Sequence, residues 1–472
     1  MIFSTPTFLF CFLPLLLGMY YLIPVKFRNL LLLITSLLFY FWGEQMYVMI
    51  MLLSIMVDFC HGLLVEHFLR KNEKGKARLM VASSVIMNLG ILFFFKYWDF
   101  VAGLLKSAGF TWMPVLGIHL PIGISFFTFQ TMSYTIDIYR GDAKAQHSMI
   151  DFGAFVTMFP QLIAGPIIRY KDLATQLNDR YRSSKEYRLN QFASGIVIFT
   201  IGLSKKLLLA NNLGKLWEIY RDMAPAFRTV AGAWLGILAY SLQLYFDFSG
   251  YSDMAMGLGR MLSFEFPLNF NYPYMAASIT DFWRRWHISL SNWFRDYVYI
   301  PLGGNRKGQA RTYFNLLIVW AFTGLWHGAS LNFFFWGLYY YVILVLEKAF
   351  LKRWLDKMPK VFGHIYALLL IMIGWTIFAC EDISVLLSYL ETMFGFGKIS
   401  FWNQETAYYL KSYFILLLAG CLGAIPFTKK VFKAFPGKAA NIVRPVLLVI
   451  ALLACTAYMI AGSYNPFLYF RF

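Results

Sequence analysis

Apolar runs of roughly 17–25 residues, the length a helix needs to cross a bilayer, recur from one end of the chain to the other. They fall at 6–24, 29–43, 46–69, 79–105, 118–139, 152–168, 191–213, 231–250, 312–346, 361–380, 408–427 and 443–462. Several are short or interrupted, so the pattern predicts about eleven crossings with re-entrant pieces among them. No repeat of roughly 20–50 residues stands out, which argues against a solenoid and gives no support to an inverted-repeat transporter. The fold expected is an all-α polytopic membrane protein, one membrane domain over residues 1–472. The first run lacks a basic leading segment and a small-residue cleavage site, so it reads as a retained span rather than a signal peptide.

Two stretches break the pattern. Residues 251–311 mix charges (Asp253, Arg260, Glu265, Asp281, Arg284, Arg285, Arg295, Asp296, Arg306, Lys307, Arg311) with Trp283, Trp286, Trp293, Tyr297 and Tyr299. Such mixing suits interfacial or re-entrant amphipathic helices, with a tight turn at Gly303, Gly304 and Asn305. Residues 312–346 carry a histidine deep in apolar sequence. His327 lies 16 residues from Arg311 and 21 from Lys348, about 24 and 31 Å of helix. Both flanks are basic, so the chain is expected to dip into the membrane and return, with His327 near the apex.

Composition agrees. Hydrophobic residues make up 59% of the chain and charged residues 14%, against about 25% charged in a soluble domain. The net charge of +18 raises a nucleic-acid reading. The basic residues instead cluster in short loops between apolar runs, as at Arg70, Lys71, Lys74, Lys76 and Arg78, which is the positive-inside pattern of a membrane protein. Nucleic acid is therefore not an expected partner. Lys26 and Arg28, the 70–78 cluster, the group Lys348, Lys352, Arg353, Lys357 and Lys360, and the group Lys429, Lys430, Lys433 and Lys438 are all compatible with a cytoplasmic side. Both termini then lie outside. The five cysteines are scattered without a CxxC pair, so neither a disulfide framework nor a metal site is indicated.

An ionisable residue at membrane depth costs roughly 2.5–3.5 kcal/mol on insertion scales, which makes His327 a functional candidate. Gly324 and Gly328 flank it and would let the backbone break and a substrate approach; the alternative is a buried histidine bonded to a neighbouring helix. His287 follows Arg284, Arg285 and Trp286. Two neighbouring cations disfavour its imidazolium and leave a proton-accepting ring, while the arginines suit the phosphates of a nucleotide-bearing donor. A plain interfacial anchor of Arg and Trp explains the same residues. Asp247, Ser249, Tyr251 and Asp253 near the end of a span either orient an imidazole and line a polar path, or pair structurally with arginines. There is no GxSxG elbow, HExxH zinc motif, Walker A loop or HxxxxD signature in the chain.

With these segments in view the chain resembles the membrane-bound O-acyltransferase family, and within it the bacterial branch that O-acetylates alginate and peptidoglycan and is related to the teichoic-acid D-alanylation proteins. The resemblance is carried by Leu120-Pro121-Ile122-Gly123-Ile124-Ser125-Phe126, Leu162-Ile163-Ala164-Gly165-Pro166, the stretch from Gln243 to Asp253, Phe282-Trp283-Arg284-Arg285-Trp286-His287-Ile288-Ser289 and Gly324-Leu325-Trp326-His327-Gly328. The ending from Asn465 to Phe472 resembles the alginate type. The resemblance implies a ring of tilted helices around a tunnel, with His327 as the catalytic residue and His287 as a second important position. It implies acyl-CoA as cytoplasmic donor, acetyl as the acyl group and no tightly bound cofactor. Arg284, Arg285, Trp286, Asp247, Ser249, Asp253 and Trp326 form the candidate donor- and substrate-binding set, with Lys307 a weaker addition. The expected acceptor is an extracytoplasmic polysaccharide, reached with a separate SGNH-type esterase-like partner, and the expected place is the cytoplasmic (inner) membrane among its lipids.

A transporter of acyl groups with His327 as proton relay, an acyltransferase acting on lipid or teichoic acid, and a structural scaffold are the competing readings. The topology is directly testable. Thiol labelling of Lys74→Cys and Phe472→Cys is expected to report opposite sides of the membrane, and the same side for both would overturn the assignment.

Overall fold

The computed structural model describes residues 2–110, 112–180, 183–427 and 437–462, and the regular structure within them is helical. The basic residues Lys429, Lys430 and Lys433 and the ending at 465–472 lie outside the described residues.

Among the described residues seven helical stretches are long and apolar enough to cross a membrane: Val25–Arg70, Lys74–Ser107, Lys185–Asp222, Leu331–Leu355, Lys360–Ala379, Gln404–Gly423 and Ile442–Ile460. That is fewer than the eleven expected from hydropathy, for local reasons. Val25–Arg70 is interrupted between Arg28–Glu44 and Val48–Arg70, where Gln45 takes a φ of 31°. The run at 118–139 becomes helical only at Ile124–Arg140, after Gly123 at φ 77°. The run at 152–168 is split into Met149–Thr157 and the single turn Phe159–Leu162, because Pro160 sits in the first turn of a new helix and cannot continue the old one. The run expected to end at 250 continues as Val230–Met261.

The chain divides into two compact units, Met1–Phe199 with Ser252–Pro267, and Thr200–Tyr251 with Leu268–Phe472. In the first, Ile124–Arg140 is buried along almost its whole length. Its polar residues join those of Val48–Arg70 and Lys74–Ser107 in one network. Asp58 accepts from the Ser84 hydroxyl at 2.6 Å and from the Asn88 amide at 2.7 Å, and Thr131 donates to Asn88 at 3.0 Å. Without water to bond, polar groups inside an apolar bundle have to satisfy one another, which makes them interhelical glue.

In the second unit, Gln309–His327 and Leu331–Leu346 form a helical hairpin that turns through Gly328, Ala329 and Ser330. A β-carbon on Gly324 would stand 2.4 Å from the Phe333 carbonyl oxygen, and one on Gly337 2.4 Å from that of Trp320. The two helices therefore approach backbone to backbone, a contact only glycine permits. Gly324 serves helix packing inside the first arm, and the chain breaks at Gly328 instead. The segment before the hairpin is built of short pieces, Ile279–Arg285, Ile288–Phe294 and the wide turn Arg295–Tyr299. Gly303 and Gly304 both adopt positive φ in the turn that follows.

Candidate active site

Ile279–Arg285 is only seven residues long, too short to hold its shape alone. Its N-terminus is fastened from two directions. The Ser278 hydroxyl accepts the Asp281 N–H at 3.0 Å. The buried Glu347 carboxylate accepts the Ile279 N–H at 2.7 Å, the Thr280 N–H at 2.8 Å and the Thr280 hydroxyl at 2.6 Å. A carboxylate against free N–H groups at a helix N-terminus is favoured by both hydrogen bonding and the helix dipole. The helix ends at Arg285. Trp286 is extended, and His287 takes the left-handed conformation (φ 44°, ψ 54°) that opens Ile288–Phe294. A non-glycine residue in that region is uncommon and is held there by its surroundings.

His287 is 1% exposed. Burial pushes its imidazole down to about 3, so the neutral ring is the resting form. It lines a largely apolar cavity of about 270 Å³ whose wall includes Trp283, Phe294, Trp320 and Thr323, with Arg284 and Arg295 as its cations. A second cavity of about 330 Å³ is mixed in character, with Asp281, Arg284, Lys352, Asp356 and Lys360 beside Leu355 and Met358, and with Ser278 and Thr280 also in its wall. Thr280 and Arg284 belong to both walls.

His327 closes the helix Gln309–His327 and is 4% exposed. Its ring centroid lies 5.0 Å from Trp326, 4.9 Å from Trp336 and 5.2 Å from Phe378, all at steep angles. Trp326 also meets His287 at 6.0 Å, so the two histidines flank one indole. On a second path, Trp336 reaches Trp283 in the cavity wall at 5.6 Å. The cavity wall includes His287 and not His327.

The sequence profile of the membrane-bound O-acyltransferase family matches residues 141–390, more than half of the chain and both histidines. The chain belongs to the membrane-bound O-acyltransferase family. It is 39% identical to the probable alginate O-acetylase AlgI of Pseudomonas putida, over the full length of both chains. It is 34% identical to a peptidoglycan O-acetyltransferase of Helicobacter pylori, over 85% of this chain and 81% of that one. A teichoic acid D-alanyltransferase of Bacillus subtilis is 28% identical over 62% of this chain and 74% of its own. This membrane-bound O-acyltransferase is thus a multi-pass membrane enzyme of the acyl-transferring class.

Within this O-acyltransferase the sequence candidates are placed unequally. Arg284 is exposed and stands where the two cavities meet. Arg285 pairs with Asp281 at 2.9 Å and lines neither cavity. Trp286 is buried among Phe270, Phe282 and Trp375 as a core residue. Asp247 forms a buried ion pair with Lys206 at 2.5 Å. Ser249 is buried and outside both cavities, and Asp253 falls in the other compact unit. Lys307 does not line either cavity. The stretch around Asp247 reaches the site through its neighbour Phe248, whose ring stands edge-on to His287 at 4.7 Å. Sequence reasoning passed over Phe248, Asn269, Glu347 and the cavity role of Lys352 and Lys360. Only Glu347 had a signal, a carboxylate between an apolar run and a basic loop.

Removing the Glu347 cap tests this construction. Glu347→Ala leaves two backbone N–H groups without an acceptor, at about 1–3 kcal/mol for each that stays buried. The expected result is a lower melting temperature in detergent, with Glu347→Gln intermediate because it keeps one acceptor oxygen. Equal melting of Glu347→Ala and the unaltered protein would refute the role of the cap.

Proposed function

We propose that this enzyme takes acyl groups, acetyl first among them, from acyl-CoA on the cytoplasmic side for O-acetylation of an extracytoplasmic polysaccharide. The observation that carries the proposal is the pair of adjoining cavities meeting at Arg284. An apolar cavity with a buried imidazole in its wall suits a thioester and its arm, and a mixed cavity in which Arg284, Lys352 and Lys360 outnumber Asp281 and Asp356 suits phosphates. Full-length similarity to a probable alginate O-acetylase, and similarity over 85% of this chain to a peptidoglycan O-acetyltransferase, support a polysaccharide acceptor. The basic residues at 348–360 support a cytoplasmic donor side, and the inner membrane is the corresponding location. An SGNH-type partner outside the membrane would complete delivery to the polymer.

The chemistry is acyl transfer from sulfur to oxygen. The attacking hydroxyl gives its proton to an imidazole, its oxygen bonds to the acyl carbon, and the carbon–sulfur bond breaks. The proton then passes to the departing thiolate, giving an ester and a free thiol. We assign the base to His327, where the family resemblance places it, and the donor side to His287, which touches the cavity. A neutral imidazole is the form needed for a base.

Two measurements follow. Purified His327→Gln, melting like the unaltered protein, is expected to lose about 10²–10⁴-fold in transfer from labelled acetyl-CoA, the usual worth of general-base assistance. Near-normal transfer would return His327 to a structural role. Arg284→Ala and the pair Lys352→Gln with Lys360→Gln are expected to raise the KM for acetyl-CoA by about tenfold with kcat little changed, the mark of binding shared by ground and transition states. An unchanged KM would remove the mixed cavity from donor binding.

A further inference from the structure

His287 is held by a residue that lies outside both cavities. Asn269 is fully buried. Its backbone carbonyl accepts the Ile288 N–H at 3.0 Å. Its side-chain oxygen accepts the Ser289 N–H at 3.2 Å and the Ser289 hydroxyl at 2.9 Å. A backbone N–H can only donate, so the Asn269 atom at that place is the amide oxygen and not the amide nitrogen. The same oxygen stands 3.2 Å from His287 Nδ1. Two acceptors repel at that distance, so Nδ1 carries the hydrogen and donates it. A neutral imidazole has one N–H, which leaves Nε2 with its lone pair. Nε2 is buried and has no hydrogen-bond partner among the described residues.

We propose that Asn269 is a positioning residue that fixes His287 in the Nδ1–H tautomer, so that His287 meets the substrate through Nε2, as an acceptor only. This rests on the acyl-transfer reading above. A buried acceptor left unmet by the protein is rare and calls for a donor from elsewhere. An acyl-CoA in the cavity supplies one in the amide N–H groups of its arm, and an attacking alcohol supplies another in its O–H. The ring is boxed by Phe248, Phe270 and Trp326; the phenylalanines have no donor, and the Trp326 indole N–H makes no hydrogen bond to Nε2. The titratable and charged side chains sharing the cavity are Arg284, Arg295 and Tyr299, with no carboxylate in its wall. On the His287 segment itself, Arg285 is paired with Asp281. Asp296 and Asp247, on two elements packed against it, face cations of their own, Arg295 and Lys206, and burial disfavours the imidazolium, which cannot accept.

The test is a pH profile of acetyl transfer from acetyl-CoA by the purified full-length enzyme, with Asn269→Asp and Asn269→Leu. Asn269→Asp keeps size and the acceptor oxygen but sets a negative charge beside Nδ1, which favours the imidazolium. Its kcat/KM is expected to stay within about threefold of the unaltered enzyme at high pH. Toward low pH it is expected to fall about tenfold per unit, along a limb brought up into roughly pH 5–8 that the unaltered enzyme lacks. Asn269→Leu frees the tautomer and is expected to lose about 10²-fold at all pH values. A purely structural clamp would lower yield or melting temperature and leave the shape of the profile unchanged in the surviving protein, and that outcome overturns the proposal. An unaltered enzyme that transfers nothing from acetyl-CoA would overturn the donor reading itself, and this inference with it.

Discussion

The buried Glu347 carboxylate holds two backbone N–H groups and a hydroxyl at the start of a seven-residue helix, and the geometry of the site rests on that contact. Glu347 follows directly on Leu331–Leu346, the second arm of the hairpin whose first arm ends at His327. The helix it caps carries Arg284 and leads straight into His287. One carboxylate thus ties the two histidine-bearing segments together. A buried carboxylate is tolerable because the N–H groups it meets at the start of the short helix have no partner within that helix. The Gly324 and Gly337 contact brings the two arms of the hairpin together backbone to backbone.

The two histidines sit in different surroundings. His327 is enclosed by Trp326, Trp336 and Phe378. Aromatic edges and faces define the shape around its ring. His287 has a polar partner on one nitrogen and a cavity at its wall. Trp326 lies between them, so a change at one ring has a short path of packed atoms to the other. Arg284 and Arg285 divide in the same way. One lies where the two cavities meet, and the other is held by Asp281 one turn away, although adjacent positions on a helix face different directions.

Where hydropathy and the observed helices part, the cause is local. Pro160 and the left-handed Gly123 break two runs that are apolar enough to cross but cannot stay helical throughout. Asp247 reads in sequence either as a carboxylate that orients an imidazole near a span's end or as one paired with an arginine. Lys206, forty-one positions earlier, neutralises it, and no pattern along the chain announces a pairing between helices. Apolar length speaks to where a segment is comfortable, not to where its backbone turns.

By itself the sequence determined that this is a helical membrane protein of the O-acyltransferase family, and it singled out Arg284, His287 and His327 as candidates. Those conclusions depend on composition, periodicity and contiguous motifs, which are properties of neighbours along the chain. Tertiary structure alone decided which histidine touches a cavity, which nitrogen it offers, and which of the charges nearby are already spoken for. Hydrogen bonds and ion pairs act over a few ångströms in space. Asn269 against His287, Glu347 against Thr280 and Lys206 against Asp247 are each many residues apart, so only the folded chain brings them together.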